Sequence, residues 1–316
     1  MASSKQERPI AVYGAIGANL LVAITKFVAA FFSGSSSMLS EGIHSVVDTG
    51  NQLLLLLGIR RARKPSDKQH PFGYGQELYF WSLIVAILLF GLGGGMSVYE
   101  GVTHLTHPSA LEDPLWNYVV LGLAFLFEGT SFTIAFRELR AERRDESIWQ
   151  AIRNSKDPTT FVVVFEDSAA LLGLVTAFIG VFLSHRLSNP RIDGVASLII
   201  GLLLATVAVL LAYESRGLLL GESFDPEKVE EIRQLVEADE QVVRAGRPLT
   251  MHLGPEDVLL NLDVQFRTDL SNRELAATVD RLEKAIRQRY AEVKRIFIEV
   301  EVFTEASTTV SAGNEP

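Results

Sequence analysis

Six or so ionisable residues stand inside stretches that are otherwise apolar, among them two pairs: His44 and Asp48 in one stretch, Glu166 and Asp167 in another. A charged group within a bilayer costs several kcal/mol unless it faces a partner or a wet cavity. His44 and Asp48 are four residues apart, so on a helix they differ by about 40° and share one face. Glu166 and Asp167 follow the apolar run 162–165 and precede the small-residue run 169–173. One imidazole with two or three carboxylates and no sulfur suits a hard or borderline divalent cation: Zn²⁺ in an N/O site, or Mn²⁺, Fe²⁺ or Co²⁺. The same groups bind protons, so metal arrival and proton departure are linked at them. The chain has no Cys, which removes thiolate ligands, cysteine nucleophiles and disulfides together. The competing reading is a buried hydrogen-bonded tie between two helices.

These residues need membrane-spanning elements to position them. The 316 residues are 48% hydrophobic and 21% charged with a net charge of −9, and the charge is unevenly placed. From Ser215 onward there are 20 acidic and 13 basic residues, so most of the imbalance sits in the last third. Such an acidic balance argues against a nucleic-acid partner. A span needs about 20 apolar residues, and six such runs occur, at roughly 10–32, 38–59, 78–99, 115–136, 160–183 and 195–212, with Lys26 the one basic residue inside them. Arg60, Arg61, Arg63, Lys64 and Lys68 follow the second run, and Arg137, Arg140, Arg143, Arg144, Arg153 and Lys156 lie between the fourth and fifth. The basic loops put both termini on the cytoplasmic side, against the weaker dissent of Arg186 and Arg191. The expected location is a multi-pass integral protein of the plasma or inner membrane, without a cleaved leader.

Beyond Glu222 the pattern becomes that of a soluble α+β domain. A helix is expected over 226–238 behind an Asp225 cap with Pro226 at its first position. A strand is expected over 257–266, with Leu260, Leu262, Val264 and Phe266 on one face. Ser271 and Glu274 form a capping box for a helix reaching Arg289, and a closing strand comes next over 295–303. The domain layout is therefore an N-terminal segment 1–9, a membrane domain 10–214, a cytosolic domain 215–303, and a tail 304–316 with the composition of disorder.

Other polar residues carry weaker signals. Lys26 is expected to neutralise a carboxylate or to snorkel. Glu128, in the fourth run, is a proton-path or supporting residue, or a helix tie. Gly91 and Gly95 form a GxxxG in the third run, which predicts close helix packing there. His104 and His107 are expected in a solvated loop, Glu100 at the interface, and His252 at the surface.

The run from Ser35 through Ser40, Glu41, Gly42, Ile43 and His44 to Asp48, and then His70-Pro71-Phe72-Gly73-Tyr74-Gly75, resembles the cation diffusion facilitators, zinc transporter type. The resemblance covers about 10–303. It implies a homodimeric exporter of divalent metal, usually Zn²⁺, driven by proton antiport, with a ferredoxin-like cytosolic domain that dimerises. Carried over by position, the transport site is His44, Asp48 and Asp167, anchored by Gly173. Val163 stands where the family usually has a His or Asp. Glu166, on the same helix, is the substitute, an arrangement that looks like the branch with Glu-Asp in the fifth span; a water or a backbone carbonyl would serve otherwise. Asp67 and His70 match accessory ligand positions of some members, but Tyr74 replaces a second His, which favours a structural loop. Glu299 and Glu301 stand where some members carry regulatory metal ligands, without the accompanying histidines.

The fold expected is an α-helical membrane protein of six transmembrane helices plus a C-terminal ferredoxin-like α+β cytosolic domain. The function expected is Zn²⁺ efflux with H⁺ as coupling ion through His44, Asp48, Glu166 and Asp167, with Asp67, His70 and Glu128 as accessory residues. Its partners are a second copy through the C-terminal domain and the lipid bilayer. A non-transporting metal sensor or scaffold is the rival, with Mn²⁺ or Fe²⁺ as rival substrates. An enzyme is not expected, since no His-Glu-x-x-His occurs.

Overall fold

The computed structural model describes residues 9–108, 115–142 and 156–302. It divides into two compact units, one of residues 1–64 and 77–216, the other of residues 65–76 and 217–316. Arg143, Arg144, Arg153 and the tail beyond residue 302 lie outside the described residues.

The first unit is helical: α1 (Pro9–Ser33), α2 (Ser36–Ala62), α3 (Glu77–Thr106), α4 (Leu115–Glu142), α5 (Pro158–Arg186) and α6 (Arg191–Leu220). Helices α3 to α6 are each long and apolar enough to cross a membrane, and the described part of α1 is apolar from Asn19 to Ser33. Helix α2 is different because it buries Ser36, Ser37, Ser40, Glu41, His44, Ser45, Asp48 and Asn51. Its polar residues point inward and several of its apolar ones, such as Val46 and Leu53, point out, largely the inverse of a soluble amphipathic helix. α1 packs on α2 and α4, α4 on α5, and α5 on α2, closing a four-helix ring around that polar stripe.

Local chemistry sets the helix ends. Gly34 has φ 66°, which lets the chain reverse between α1 and α2. Ser35 caps α2 by accepting from the Met38 amide at 3.2 Å. Asp193, in the first turn of α6, completes this cap from 157 residues away. Its Oδ2 accepts from the Ser36 and Ser37 amides at 2.6 and 3.2 Å, and its carboxylate also takes the Ser35 and Ser37 hydroxyls. A buried anion there satisfies amides that the first turn leaves open and complements the helix dipole.

Helix α3 contains a π segment, Leu89–Gly94. The added residue in that turn rotates the remainder of the helix about its axis, and the glycine expectation is corrected accordingly. Gly91 has nothing near a notional methyl, and Gly95 has only its own helix's Phe90 carbonyl. The close approach uses Gly94 and Gly101 of α3 against Gly194 and Gly201 of α6. A methyl on Gly201 would lie 2.7 Å from the Val98 amide nitrogen, and one on Gly101 2.8 Å from that of Leu198. His104 is also corrected: α3 runs two residues past it, and it is buried against Gly194. His107 is exposed at the helix end.

The second unit holds α7 (Pro226–Glu237), β1 (Val242–Ala245), β2 (Leu249–Gly254), β3 (Asp257–Phe266), α8 (Asn272–Arg289) and β4 (Val293–Val300). The Asp225 cap and the Ser271–Glu274 capping box form as expected. β3 is the central strand. β1 and β2 share one of its edges, antiparallel, and β4 pairs in parallel along the other. Val258, Leu260, Leu262, Val264 and Phe266 alternate inward on β3 and meet Ile232 and Val236 of α7 and Leu282 and Ile286 of α8. The domain is thus a two-layer α+β domain of four strands, of which the sequence pattern resolved the ranges of β3 and β4 but not those of β1 and β2. The surface expectation for His252 is overturned: it is 3% exposed, its ring beside Phe224 and Nδ1 3.3 Å from the Gly254 carbonyl oxygen.

Candidate metal centre

The polar stripe of α2 supplies the first half of the centre. At 3.6 residues per turn, Glu41, His44, Ser45, Asp48, Asn51 and Gln52 fall on one side, which the four-helix ring turns inward. His44 is completely buried. Its Nδ1 lies 3.3 Å from Asp48 Oδ1 without hydrogen-bond alignment, and neither ring nitrogen has a partner among the described residues. The carboxylates of α5 are better satisfied: Asn51 Nδ2 donates to Glu166 Oε1 at 2.6 Å, and the Ser131 hydroxyl of α4 donates to Asp167 Oδ2 at 2.8 Å.

Between these groups is a cavity of about 10 Å³, room for about one water-sized particle. Asp48, Glu128, Glu166 and Asp167 all line it, with Ser45, Gln52, Asn19 and Val163. Three helices therefore bring four carboxylates to one small space inside the membrane unit. Glu128 of α4 faces the same cavity as the three acids expected at the site, and His44 sits behind Asp48 rather than at the cavity wall. As placed, no three His, Asp or Glu side chains among the described residues converge closely enough to hold a metal ion. The Asn51 and Ser131 hydrogen bonds hold Glu166 and Asp167 in separate positions.

Asp67 and His70 belong to the other unit, where they organise a loop. Asp67 accepts from the Tyr74 hydroxyl at 2.7 Å and from the Gln69 and His70 amides at 2.9 and 2.7 Å, and the His70 ring lies 4.2 Å from that of Tyr74. These bonds, that from Tyr74 foremost, hold the Asp67 carboxyl below the usual carboxylate range. Asp67 Oδ1 is also 3.6 Å from His70 Nδ1. The same loop is fixed to β4, where Arg295 donates to the Phe72 carbonyl at 2.6 Å and covers the Phe72 ring.

Asn51 and Ser131 were not singled out by the sequence, although each lies three residues from a candidate, Asp48 and Glu128 respectively. Glu41 and Asp193 were missed for another reason. Their partners, Lys26 and the 35–37 serines, are 15 and about 157 residues away.

A helical unit with four helices long and apolar enough to cross a membrane and an acid-lined cavity, followed along the chain by a small α+β domain, has the layout of a membrane protein of many spans. Residues 12–220 match the cation efflux transmembrane domain and residues 224–303 the cation efflux protein cytoplasmic domain. The chain belongs to the cation efflux family, a family of transporters and not of enzymes. It is 33% identical to the "Proton-coupled zinc antiporter SLC30A9, mitochondrial" of Mus musculus, over 90% of this chain and 57% of that protein. It is 32% identical to "Metal tolerance protein C4" of Arabidopsis thaliana, over 81% of this chain and 56% of the relative. The chain thus spans little more than half the length of these relatives. With the "Manganese efflux system protein MneP" of Bacillus subtilis the identity is 25%, over 96% of this chain and all of the relative.

Proposed function

We propose that this protein carries a divalent cation, Zn²⁺ before Mn²⁺ or Fe²⁺, across a membrane in exchange for protons. The observation that carries the reading is the convergence of Asp48, Glu128, Glu166 and Asp167 on one cavity beside a completely buried His44 whose ring nitrogens are unpartnered among the described residues. An arriving ion takes carboxylate oxygens from Asp48, Asp167 and Glu166, the last two exchanging the Ser131 and Asn51 hydrogen bonds for the metal. His44 is the one nitrogen donor among these groups, and its turn toward the cavity favours Zn²⁺ over harder ions. Protons arriving from the far side compete for the same atoms and release the ion.

The relatives named for a metal, one for zinc and one for manganese, support a divalent cargo. In this reading the chain works as a homodimer through its C-terminal domain, and both termini face the side that supplies the metal. The plasma-membrane expectation finds no support in the zinc antiporters, which are named as mitochondrial.

The test is metal uptake by proteoliposomes under a pH gradient, comparing Zn²⁺, Mn²⁺, Fe²⁺ and Co²⁺. Gradient-driven Zn²⁺ flux that is lost in Glu166→Gln and in His44→Ala/Asp48→Ala is the expected result. Unchanged flux in the double variant would falsify the assignment. No flux from any ion, with metal bound only by the C-terminal domain, would favour the sensor.

A further inference from the structure

The polar groups of α2 do not stop at the cavity. Toward the N-terminus of α2, Glu41 is fully buried, and so is Lys26 of α1. Lys26 Nζ stands 3.0 Å from Glu41 Oε2 and 2.7 Å from Ser45 Oγ, and Ser45 lines the cavity. The second Glu41 oxygen, Oε1, has no hydrogen-bond partner among the described residues. It lies against α5 at Gly173, where a methyl group would collide with it. One turn of α2 therefore presents a bare carboxylate oxygen at Glu41 and, three residues on, the unpartnered imidazole of His44. These are two of the donors a divalent cation needs, and the charge now held there is a tethered ammonium.

A buried ion pair is a weak source of stability, because desolvation of both ions offsets their attraction. Two apolar residues of similar size would tie α1 to α2 as well, so the pair calls for another role. Resting on the transport reading above, we propose that Lys26 is a positioning residue that limits the charge of the transport site. By neutralising Glu41 and holding Ser45, it keeps a fifth carboxylate from ligating and confines each chain to one divalent ion. Without the ammonium, Glu41 would be a free carboxylate one turn from His44 that draws in a second ion, and an ion held there would obstruct release of the first. Without Glu41, the ammonium would stand one hydroxyl from the cavity and repel the cargo.

The experiment measures equilibrium binding of Zn²⁺ to the full chain in nanodiscs, by dialysis and metal analysis, with the C-terminal domain's own uptake common to all variants. In Lys26→Met the stoichiometry rises by one ion per chain, and adding Glu41→Gln returns it to the parent value. In Glu41→Gln alone Zn²⁺ affinity falls at least tenfold, and adding Lys26→Met restores it to within threefold. A pair that only ties two helices would leave stoichiometry and affinity the same in every folded variant, and that result overturns the proposal. Because Glu41→Gln and the double variant carry the affinity comparison, the proposal stays testable even if Lys26→Met does not fold. Failure of the transport reading is separate: it shows as wild-type stoichiometry unchanged by His44→Ala/Asp48→Ala.

Discussion

Removing the Asp193 carboxylate should loosen the helix that carries half of the proposed metal centre. Asp193 is fully buried and takes four donors, the Ser36 and Ser37 amides and the Ser35 and Ser37 hydroxyls. In Asp193→Ala all four lose their acceptor in a site that water cannot easily reach. Hydrogen bonds inside membrane proteins average about 0.6 kcal/mol, and those to a carboxylate run about twice as strong as neutral ones. With about 0.5 kcal/mol for an anion at a helix N-terminus, the expected loss is about 5 kcal/mol, or more than a thousandfold in the folding equilibrium. Asp193→Asn keeps one acceptor oxygen but not the charge, so about half of that loss is expected. The assay is reversible unfolding of the full chain in mixed micelles, followed by helical circular dichroism. His44 lies eight residues from Ser36, about 12 Å along the helix, so Zn²⁺ affinity should fall in the same order, alanine below asparagine. A stability for Asp193→Ala within about 0.5 kcal/mol of the parent would refute the reasoning.

Gly201→Ala should cost about 2 kcal/mol, because its methyl would meet backbone of α3 at 2.7 Å and overpacking against backbone is hard to relieve. Gly91→Ala, in open space, should be neutral or mildly stabilising in the same unfolding assay. Tyr74→Phe should raise the Asp67 pKa toward the ordinary carboxylate value by deleting its main hydrogen bond. The sign comes from the lowered folded pKa: the stabilisation is present above the ordinary carboxylate range and is lost as pH falls through the folded value. Carboxyl NMR titration of Asp67 reads this, and an unmoved titration would sink it. Gly75→Ala should destabilise the C-terminal unit, since a methyl there would strike the Leu253 carbonyl, and hydrogen exchange at β2 should rise.

The helices were legible because hydrophobic run length survives without any partner. Each of the six expected spans coincides with a helix that reaches its expected bounds or runs past them. β3 was legible for a similar reason, its strict alternation being a local property. The errors arose where a residue's fate depends on a distant segment. Gly91 and Gly95 have the right spacing for close packing, yet the π turn in α3 gives the contact to Gly94 and Gly101. His104 and His252 look solvated from their neighbours, but a glycine on α6 and the Phe224 ring cover them. At the site, the unusual charges were visible in the sequence. Which hydroxyl or amide would satisfy each one was not, because Asn51, Ser131 and Asp193 are ordinary residues until the helices meet.

The loop of residues 65–76 is sequentially part of the helical half but structurally part of the other. Arg295 grips its Phe72, and Leu253 closes on Gly75. The peptide chain therefore passes between the two units three times, after residues 64, 76 and 216. A stop codon after Arg216 would not excise a module. It would delete the docking surface of a segment that stays behind, leaving the Phe72 ring without the guanidinium that covers it and its carbonyl without its donor. Under the transport reading proposed above, a truncation that fails to carry metal would then report damage next to α2, the helix bearing His44 and Asp48, as readily as loss of the proposed dimer contact. Point substitutions at Arg295 or Gly75 keep the chain whole and separate the two effects.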